Sequence, residues 1–227
     1  MVLDIEGTTT PVSFVYEILF PYAREHVASF VTSHAGQAVL SEPAHLLEQE
    51  WAEDVARNTN PPPRDSSTQW VTEYARWLME QDRKSPGLKL LQGLIWERGY
   101  ADGALRGDVY SDVPRALSRW RDAGIALAIY SSGSVLAQRL IFSTTAYGDL
   151  TQFIGQYFDT AVGPKREAAS YARIAAAMAL PPVELLFVSD VTAELDAAHD
   201  AGMQVVLCVR EGGVISGDAV TSFDEIV

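Results

Sequence analysis

The chain has 227 residues and only one cysteine, Cys208, so no disulfide bond can form within it. Cys208 lies in the apolar run 205–209, where a cysteine usually behaves as a small buried hydrophobic residue. Cysteine used in this way is typical of a reducing compartment, and we expect a cytoplasmic protein, with the nucleus as a second location in a eukaryote. The four histidines neither cluster nor show metal-ligand spacing, which argues against a zinc site.

Basic residues are also scarce, because 17 lysines and arginines face 30 aspartates and glutamates and leave a net charge of -13. Such a charge repels a phosphate backbone, so we expect no nucleic-acid partner. No apolar run approaches the roughly 20 residues that a bilayer-spanning helix needs, and we expect no membrane partner. The first residues lack a basic region followed by an apolar stretch, so we expect no secretory signal.

The most informative stretch is the first ten residues of the chain. The apolar run 1–3 is followed directly by Asp4, Glu6 and Gly7. This pattern predicts a buried strand that ends in a polar turn. Ligands of open α/β sheets bind just outside the carboxyl ends of the strands. We therefore expect Asp4 and Glu6 at the edge of a sheet, with Gly7 allowing the backbone to approach a ligand closely.

Residues 106–227 alternate between helical and strand patterns. We predict helices over 113–123, 135–142, 166–179 and 192–201, strands over 125–130, 185–188 and 204–209, and an irregular stretch or short strand over 153–162. Strands that alternate with helices are typical of a parallel sheet. The predicted fold class is therefore α/β, with a doubly wound parallel sheet in a domain that comprises residues 1–13 and 106–227.

Residues 14–105 differ from the rest of the chain, because their apolar residues follow helical spacing and show no strand pattern. We predict helices over 12–32, 42–57, 68–83 and 88–97. Pro21 should break or bend the first of these helices, since proline lacks a backbone donor. The pattern predicts an all-helical domain over 14–105 that is inserted into the α/β domain after its first strand.

Polar side chains follow three of the predicted strands. They are Asp4 and Glu6 after the first strand, Ser131 and Ser132 after the strand at 125–130, and Asp190 after the strand at 185–188. The segment 163–165, Gly-Pro-Lys, adds the ammonium group of Lys165 just before a helix. Carboxylates, hydroxyls and a lysine at one sheet edge fit a site for a phosphate group and a divalent cation, and their oxygens suit Mg²⁺.

Each of these residues also has a plainer structural explanation. An aspartate after a strand can simply be a turn residue. Ser131 and Ser132 can precede the next helix, for which Ser134 is the better N-cap. Lys165 can be a solvated surface lysine, and Glu194 can equally be an exposed helix residue. The order of the motifs along the chain is what favours the functional reading.

Four pieces of the sequence resemble, in order, the four motifs of the haloacid dehalogenase-like superfamily: Asp4-x-Glu6-x-Thr8, the strand that ends at Ser131, Lys165, and Asp190-x-x-x-Glu194. The first motif of that superfamily is usually Asp-x-Asp, whereas the second carboxylate here is Glu6. Strings at 4–9, 20–23, 91–96, 130–134 and 189–196 resemble the enolase-phosphatase branch of methionine salvage. The resemblance covers essentially the whole chain and implies a Rossmann-like core with an inserted helical cap domain.

The resemblance implies a catalytic role for several residues. Asp4 would attack phosphorus and form an aspartyl-phosphate intermediate. Lys165 would stabilise the attacking carboxylate and the phosphoryl charge, and Ser131 and Ser132 would bind the phosphate or adjacent substrate oxygens. Glu6 occupies the position of the superfamily's general acid/base, although its side chain is one methylene longer than the usual aspartate.

The resemblance also implies one Mg²⁺ ion per chain. Its ligands would be the carboxylates of Asp4 and Asp190 and the backbone carbonyl at Glu6. Glu194 lies one helical turn after Asp190 and would hold a metal-bound water.

The activity that this branch implies has two steps on one small phosphorylated diketone, 2,3-diketo-5-methylthiopentyl phosphate. The substrate is enolised and then dephosphorylated to an acireductone, and the cap would exclude water from the enediol. The base for enolisation is left open between Glu6 and a carboxylate or histidine of the inserted domain. The enzymes of this branch are typically monomers, so we expect a monomer.

Two other functions compete with this one. One is a single-function phosphatase of the same superfamily that acts on another small phosphate ester, and the strings in the inserted domain argue against it. The other is a binding or scaffold protein that retains the fold without catalysis. The intact set Asp4, Lys165 and Asp190 argues against that function, because the loss of any one of them would indicate a dead site.

Overall fold

The computed structural model describes residues 1–210 and 219–226. The chain forms two compact units, one comprising Met1–Val15 with Arg106–Val227 and the other Tyr16–Leu105. Residues 211–218 and 227, which the sequence places in the α/β domain, lie outside the described residues. No helix among the residues described combines the length and the apolar character that crossing a bilayer requires.

The helical unit begins within a π-helical segment, Phe14–Leu19, and its four α-helices are α1 (Phe20–Ser33), α2 (Ala38–Ala56), α3 (Gln69–Glu80) and α4 (Pro86–Ala101). Residues 16–105, all of which the structure describes, contain no strand. The change from π-helix to α-helix falls next to Pro21, in the first turn of α1, where a missing backbone donor does least harm. Helix α2 begins four residues before its predicted start and contains Pro43 in its interior.

A buried carboxylate links the helices of this unit. Asp54 is fully buried in α2 and accepts a hydrogen bond from the Tyr74 hydroxyl of α3 at 2.7 Å and another from Arg83 at 3.0 Å. Burial alone would raise the pKa of Asp54, but the bonds from Tyr74 and Arg83 outweigh it and lower the pKa. A buried charge is tolerated here because it is both paired and hydrogen-bonded.

The α/β unit contains a five-stranded sheet. Its strands are β1 (Val2–Leu3), β2 (Ala128–Tyr130), β3 (Gln156–Phe158), β4 (Leu186–Ser189) and β5 (Gln204–Leu207). The strand order is β3-β2-β1-β4-β5, and every neighbouring pair is parallel. Its described α-helices are α5 (Val113–Asp122), α6 (Val135–Ser143), α7 (Ala168–Met178) and α8 (Thr192–Asp200). The predicted α/β class with a parallel sheet is confirmed.

Strand β1 lies at the centre of the sheet although it has only two residues. Val2 pairs with Ala128 on one side and with Phe187 on the other, and both Val2 and Leu3 are completely buried. The chain builds β2 and β3 on one side of β1 and then crosses to build β4 and β5 on the other. Ligands of such sheets bind where this crossing occurs, outside the carboxyl ends of β1 and β4.

The sequence predicts the burial of Cys208 correctly. Cys208 is completely buried, and its backbone N–H donates to the Ser189 carbonyl at 3.0 Å. Burial raises the pKa of the Cys208 thiol to about 11, so it is an inert core residue at neutral pH.

A second buried ion pair, between Asp112 and Arg210, lies near the C-terminal end of the α/β unit. Asp112, just before α5, accepts hydrogen bonds from Arg210 at 2.6 Å and from the Phe223 backbone N–H at 2.6 Å. Burial alone would raise the pKa of Asp112, but the bonds from Arg210 and Phe223 lower it. The pair therefore ties α5 to the segment after β5 and to the C-terminal segment.

We expect Asp112→Asn to lower the free energy of unfolding by about 3 kcal/mol at neutral pH, because it leaves Arg210 buried without its counter-charge. A carboxylate whose folded pKa is depressed stabilises the fold above its unfolded pKa, here the ordinary 3.8, and this contribution is lost as the pH falls through the folded value. Denaturant unfolding at several pH values should therefore show that the deficit shrinks below pH 3.8.

The matched control for this prediction is Asp122→Asn. Asp122 pairs with Arg121 at 3.1 Å, but its side chain is 66% exposed, and exposed pairs contribute at most about 1 kcal/mol. Equal effects of the two substitutions would show that the Asp112 pair does not hold the C-terminal segment.

Candidate active site

Asp4 is the first residue after β1, and its carboxylate is held from three directions. Its backbone N–H donates to the Val188 carbonyl of β4 at 3.0 Å, which fixes it at the carboxyl edge of the sheet. One carboxylate oxygen accepts from the Ile5 N–H at 2.7 Å and from Lys165, and the other accepts from the Ser189 hydroxyl at 2.9 Å. Asp4 is only 3% exposed, so its orientation is set by the protein rather than by bulk water.

The loop that follows Asp4 is built from its own hydrogen bonds. The Ile5 carbonyl accepts from the backbone N–H groups of the three threonines at 8–10, at 2.9–3.1 Å. The Thr9 hydroxyl turns back and donates to the Asp4 carbonyl at 2.9 Å. Glu6 is half-buried in this loop, and its backbone forms a bridge with Thr10. The loop therefore keeps Glu6 two residues from Asp4 in a defined backbone conformation.

Asp190 packs directly against this loop at Gly7. A β-carbon added to Gly7 would lie 2.2 Å from a carboxylate oxygen of Asp190, and Gly7 has a φ of +70°, which other residues rarely adopt. Only glycine therefore lets the Asp190 carboxylate come this close to the loop. Asp190 is an exposed residue, but partial desolvation of its carboxylate, followed by the charge of Asp4, raises its pKa to about 6.

Lys165 lies between two carboxylates and is not a solvated surface residue. Its ammonium group is 2.6 Å from an Asp4 oxygen and 2.6 Å from a Glu194 oxygen, and the side chain is 8% exposed. Burial alone would lower the pKa of Lys165, but the charges of Asp4 and Glu194 outweigh it and raise the pKa. The lysine is therefore a fixed positive charge beside the Asp4 carboxylate.

Glu194 lies in the first turn of α8 and is buried rather than exposed. Burial, followed by the charge of Asp4, raises the pKa of Glu194 to about 7, even though Lys165 acts in the opposite direction. Lys165 contacts the carboxylates of Asp4 and Glu194, and Asp190 adds a third carboxylate close enough for the charge of Asp4 to raise its pKa. The surplus negative charge would be balanced by a divalent cation.

The two serines after β2 have different surroundings. Ser131 is buried, and its hydroxyl accepts from the Gly133 N–H at 3.2 Å, whereas Ser132 is exposed. Ser134 is the N-cap of α6 and accepts from the Ala137 N–H at 3.2 Å, as its position in the sequence predicts. Within residues 1–210 and 219–226, neither Ser131 nor Ser132 is among the hydrogen-bond donors to the Asp4 carboxylate.

Sequence reasoning overlooked one residue of the site, Ser189. Its hydroxyl is completely buried, donates to Asp4 at 2.9 Å and accepts from the Val191 N–H at 3.1 Å. The sequence signal that could have indicated Ser189 is its position, between the predicted strand 185–188 and Asp190.

We expect Ser189→Ala to lower kcat about tenfold, because one of the three groups that orient the buried Asp4 carboxylate is lost. Steady-state kinetics of phosphate release from para-nitrophenyl phosphate would measure this effect. Ser143→Ala is the control, because the Ser143 hydroxyl donates, among the residues described, only to the Leu140 carbonyl of its own helix. A Ser189→Ala enzyme as active as Ser143→Ala would exclude this role for the hydroxyl.

The residues around Asp4 suit Mg²⁺, which keeps water molecules among its ligands, better than a metal ion whose ligands are all protein side chains. Among the described residues, there is no group of three or more His, Cys, Asp or Glu side chains that could hold a metal ion. The predicted ligand set needs only two side-chain carboxylates, from Asp4 and Asp190, together with the backbone carbonyl of Glu6. Mg²⁺ usually keeps several waters and takes one or two carboxylates, so this sparse, negatively charged set suits it.

A buried aspartate paired with a lysine at the carboxyl edge of a parallel sheet is the layout of an α/β protein that binds its ligand at that edge, and the fixed charge of the lysine suits a phosphoryl group. A family model described as "Hydrolase: haloacid dehalogenase-like hydrolase" matches residues 1–202. The chain therefore belongs to the haloacid dehalogenase-like hydrolases.

Curated relatives identify the branch of that family. The chain is 48% identical to "Enolase-phosphatase E1" of Synechococcus elongatus over 100% of this chain and 96% of the relative. It is 47% identical to the protein of the same name from Pseudomonas aeruginosa, over 99% of this chain and 96% of the relative. The resemblance to the enolase-phosphatase branch is thereby confirmed.

Solved structures agree with this fold. The UTR4 protein of Saccharomyces cerevisiae matches with a TM-score of 0.76 and 33% identity, over 96% of this chain and 92% of that one. The HAD phosphatase from Thermococcus onnurineus matches with a TM-score of 0.60 over 99% of this chain and 94% of that one, and at 18% identity it supports the fold alone.

Proposed function

We propose that this chain is a bifunctional enolase-phosphatase. It would enolise 2,3-diketo-5-methylthiopentyl 1-phosphate and then dephosphorylate it to the acireductone of methionine salvage. The observation that carries the proposal is the Asp4 carboxylate, buried and oriented by Lys165 and Ser189 at the crossing point of the sheet. The names of the full-length relatives support the same activity.

The phosphatase half would proceed in two displacements. A carboxylate oxygen of Asp4 attacks phosphorus, the bond from phosphorus to the substrate oxygen breaks, and that oxygen takes up a proton from Glu6, the proposed acid/base, as it leaves. Water then gives a proton to Glu6 and attacks phosphorus of the aspartyl phosphate, which releases inorganic phosphate and restores the Asp4 carboxylate. Lys165 balances charge on the carboxylate and the phosphoryl group, and Ser131 and Ser132 are the proposed ligands of the phosphate oxygens.

The proposed magnesium ion would be bound by Asp4, Asp190 and the backbone carbonyl of Glu6, with Glu194 holding a water on the ion. When bound, the ion supplies positive charge against the phosphoryl and carbonyl oxygens of the substrate. The surplus of carboxylates over ammonium groups around Asp4 supports this assignment.

The enolase half needs a base, because a proton must leave carbon while a carbonyl oxygen gains one. Glu6 is the proposed acid/base, since it shares the loop with Asp4 and is half-buried. A carboxylate or histidine of the helical unit is the competing source, and replacement of Glu6 by glutamine separates the two. Loss of enolisation with Glu6→Gln would support Glu6 as the base.

We further propose that the protein acts as a cytoplasmic monomer on this small substrate, without a nucleic-acid or membrane partner. The net charge of -13 supports the exclusion of nucleic acid, and the single buried cysteine supports a reducing compartment.

Two assays test the proposed function. The first measures Mg²⁺-dependent phosphate release from para-nitrophenyl phosphate by the wild-type protein. The second follows the ultraviolet absorbance of the enediol formed from the diketo phosphate. We expect both signals. Phosphate release without enediol absorbance would indicate a single-function phosphatase, and the absence of both signals would indicate a protein that only binds.

A further inference from the structure

The loop that carries Lys165 is held by an unusual series of contacts. Four consecutive backbone carbonyls, those of residues 162–165, each accept a hydrogen bond from a side chain. The pairs are Arg173 to Val162, Tyr130 to Gly163 at 2.8 Å, Ser170 to Pro164 at 2.8 Å, and Tyr171 to Lys165 at 2.7 Å. A loop with this many side-chain bonds has few ways to move without breaking several of them together.

The hydroxyl donors come from two different elements. Tyr130 ends β2, whereas Ser170 and Tyr171 lie on α7, and all three residues are completely buried. The rings of Tyr130 and Tyr171 also pack edge to face, with their centroids 5.4 Å apart. The loop is therefore anchored to the sheet and to the helix at the same time.

Gly163 shows how closely the loop lies against α7. A β-carbon at this position would be 2.3 Å from the Ser170 hydroxyl oxygen and 2.2 Å from an Arg173 nitrogen, and the φ of Gly163 is +136°. Any other residue would push the loop away from the helix.

This anchoring has a direct consequence for Lys165. Its ammonium group must meet Asp4 and Glu194 together, at 2.6 Å from each, although a lysine side chain is long and flexible. Fixing the backbone from which the side chain starts removes much of that freedom. Small displacements of a catalytic group reduce rates strongly, and about 1 Å can cost about 100-fold.

We propose that the hydroxyls of Tyr130, Ser170 and Tyr171 are positioning groups for Lys165, which they hold in place by binding the carbonyls of its loop. They act through the lysine, because none of the three donates to the Asp4 carboxylate in the described parts of the chain. The inference rests on the proposed function, since Lys165 must take part in phosphoryl transfer for its position to affect the rate.

The competing explanation is that these hydroxyls only satisfy buried carbonyls and stabilise the fold. That role would change stability without changing kcat. A positioning role changes kcat through Lys165, so its effect must disappear when the lysine is absent.

The test compares Tyr171→Phe with Tyr157→Phe in Mg²⁺-dependent hydrolysis of para-nitrophenyl phosphate. Both changes remove one buried phenol hydroxyl from the α/β unit, but the Tyr157 hydroxyl has no hydrogen-bond partner among the residues described. We expect Tyr171→Phe to lower kcat about tenfold with KM within about twofold of wild type, and Tyr157→Phe to leave both unchanged.

The decisive arm repeats Tyr171→Phe in a Lys165→Met background. We expect no further loss of the residual kcat there, whereas a further tenfold loss, or equal kcat for Tyr171→Phe and Tyr157→Phe, would overturn the proposal. If Tyr171→Phe does not fold, Ser170→Ala carries the same comparison. If the wild-type protein shows no phosphatase activity, the proposed function is wrong. If the wild type is active and Tyr171→Phe has the same kcat as the wild type, only the positioning role is wrong.

Discussion

Replacing Asp4 with asparagine should reduce phosphate release by a factor of about 10⁴ or more, because an amide cannot form the phosphoryl intermediate. The substitution is nearly isosteric, so the amide oxygen can keep the contacts with the Ile5 N–H and Lys165, while the amide NH2 group faces the Ser189 hydroxyl, whose oxygen can accept. It also removes the negative charge of Asp4, which, together with burial, raises the pKa values of Asp190 and Glu194. Both pKa values should therefore be lower in the variant. The measurement is phosphate release at saturating Mg²⁺, with circular dichroism to show that the fold is intact.

The matched control for Asp4→Asn is Asp196→Asn, the same chemical change at an exposed position of α8. We expect this control to keep the wild-type rate. An Asp4→Asn enzyme that retained a tenth of the wild-type activity would show that another group attacks phosphorus.

Replacing Lys165 with methionine should lower kcat about 100- to 1000-fold, the usual loss when one preorganised charge or donor is removed from a transition state. Methionine keeps most of the side-chain volume, so the loss reflects the missing ammonium group. The change also leaves the carboxylates of Asp4 and Glu194 without their shared counter-charge. We therefore expect the free energy of unfolding to fall by about 3 kcal/mol near neutral pH.

Lys84→Met is the control for the lysine, because Lys84 is exposed. It should change neither kcat nor the midpoint of denaturant unfolding appreciably. A Lys165→Met enzyme with a normal kcat would mean that the ion pair with Asp4 is structural only.

Much of the fold follows from local patterns in the sequence. The apolar run at 185–188 and the helical spacing after Thr192 identify β4 and α8 to within about two residues, because buried strands and amphipathic helices leave distinct periodicities. The strand predicted over 125–130 is shorter, since the pairing register begins at Ala128 opposite Val2. The number of residues that pair in a strand depends on its partner strand, and the local sequence of one strand does not indicate where the partner begins or ends.

The candidate site was only partly readable from sequence. The meeting of Asp4 and Asp190 follows from the rule that parallel strands deliver their carboxyl ends to one edge, whereas Glu194 was named only through the resemblance to the family motifs. The burial of Glu194 and the exposure of Ser132 depend on how α8 and the loop after β2 pack. Hydroxyl-to-carbonyl contacts such as that of Tyr171 with Lys165 arise from tertiary placement, and a tyrosine in an alanine-rich helix gives no local sign of them.

Covalent phosphorylation of Asp4 during turnover is the step on which the proposed phosphatase mechanism depends most directly. The enzyme can be quenched with acid while it turns over a substrate that carries a radioactive phosphate, then digested and its labelled peptide sequenced by mass spectrometry. We predict label on the peptide that contains Asp4, and none when Asp4→Asn is treated in the same way. Turnover with no labelled peptide, or with label on a peptide that lacks Asp4, would contradict the account.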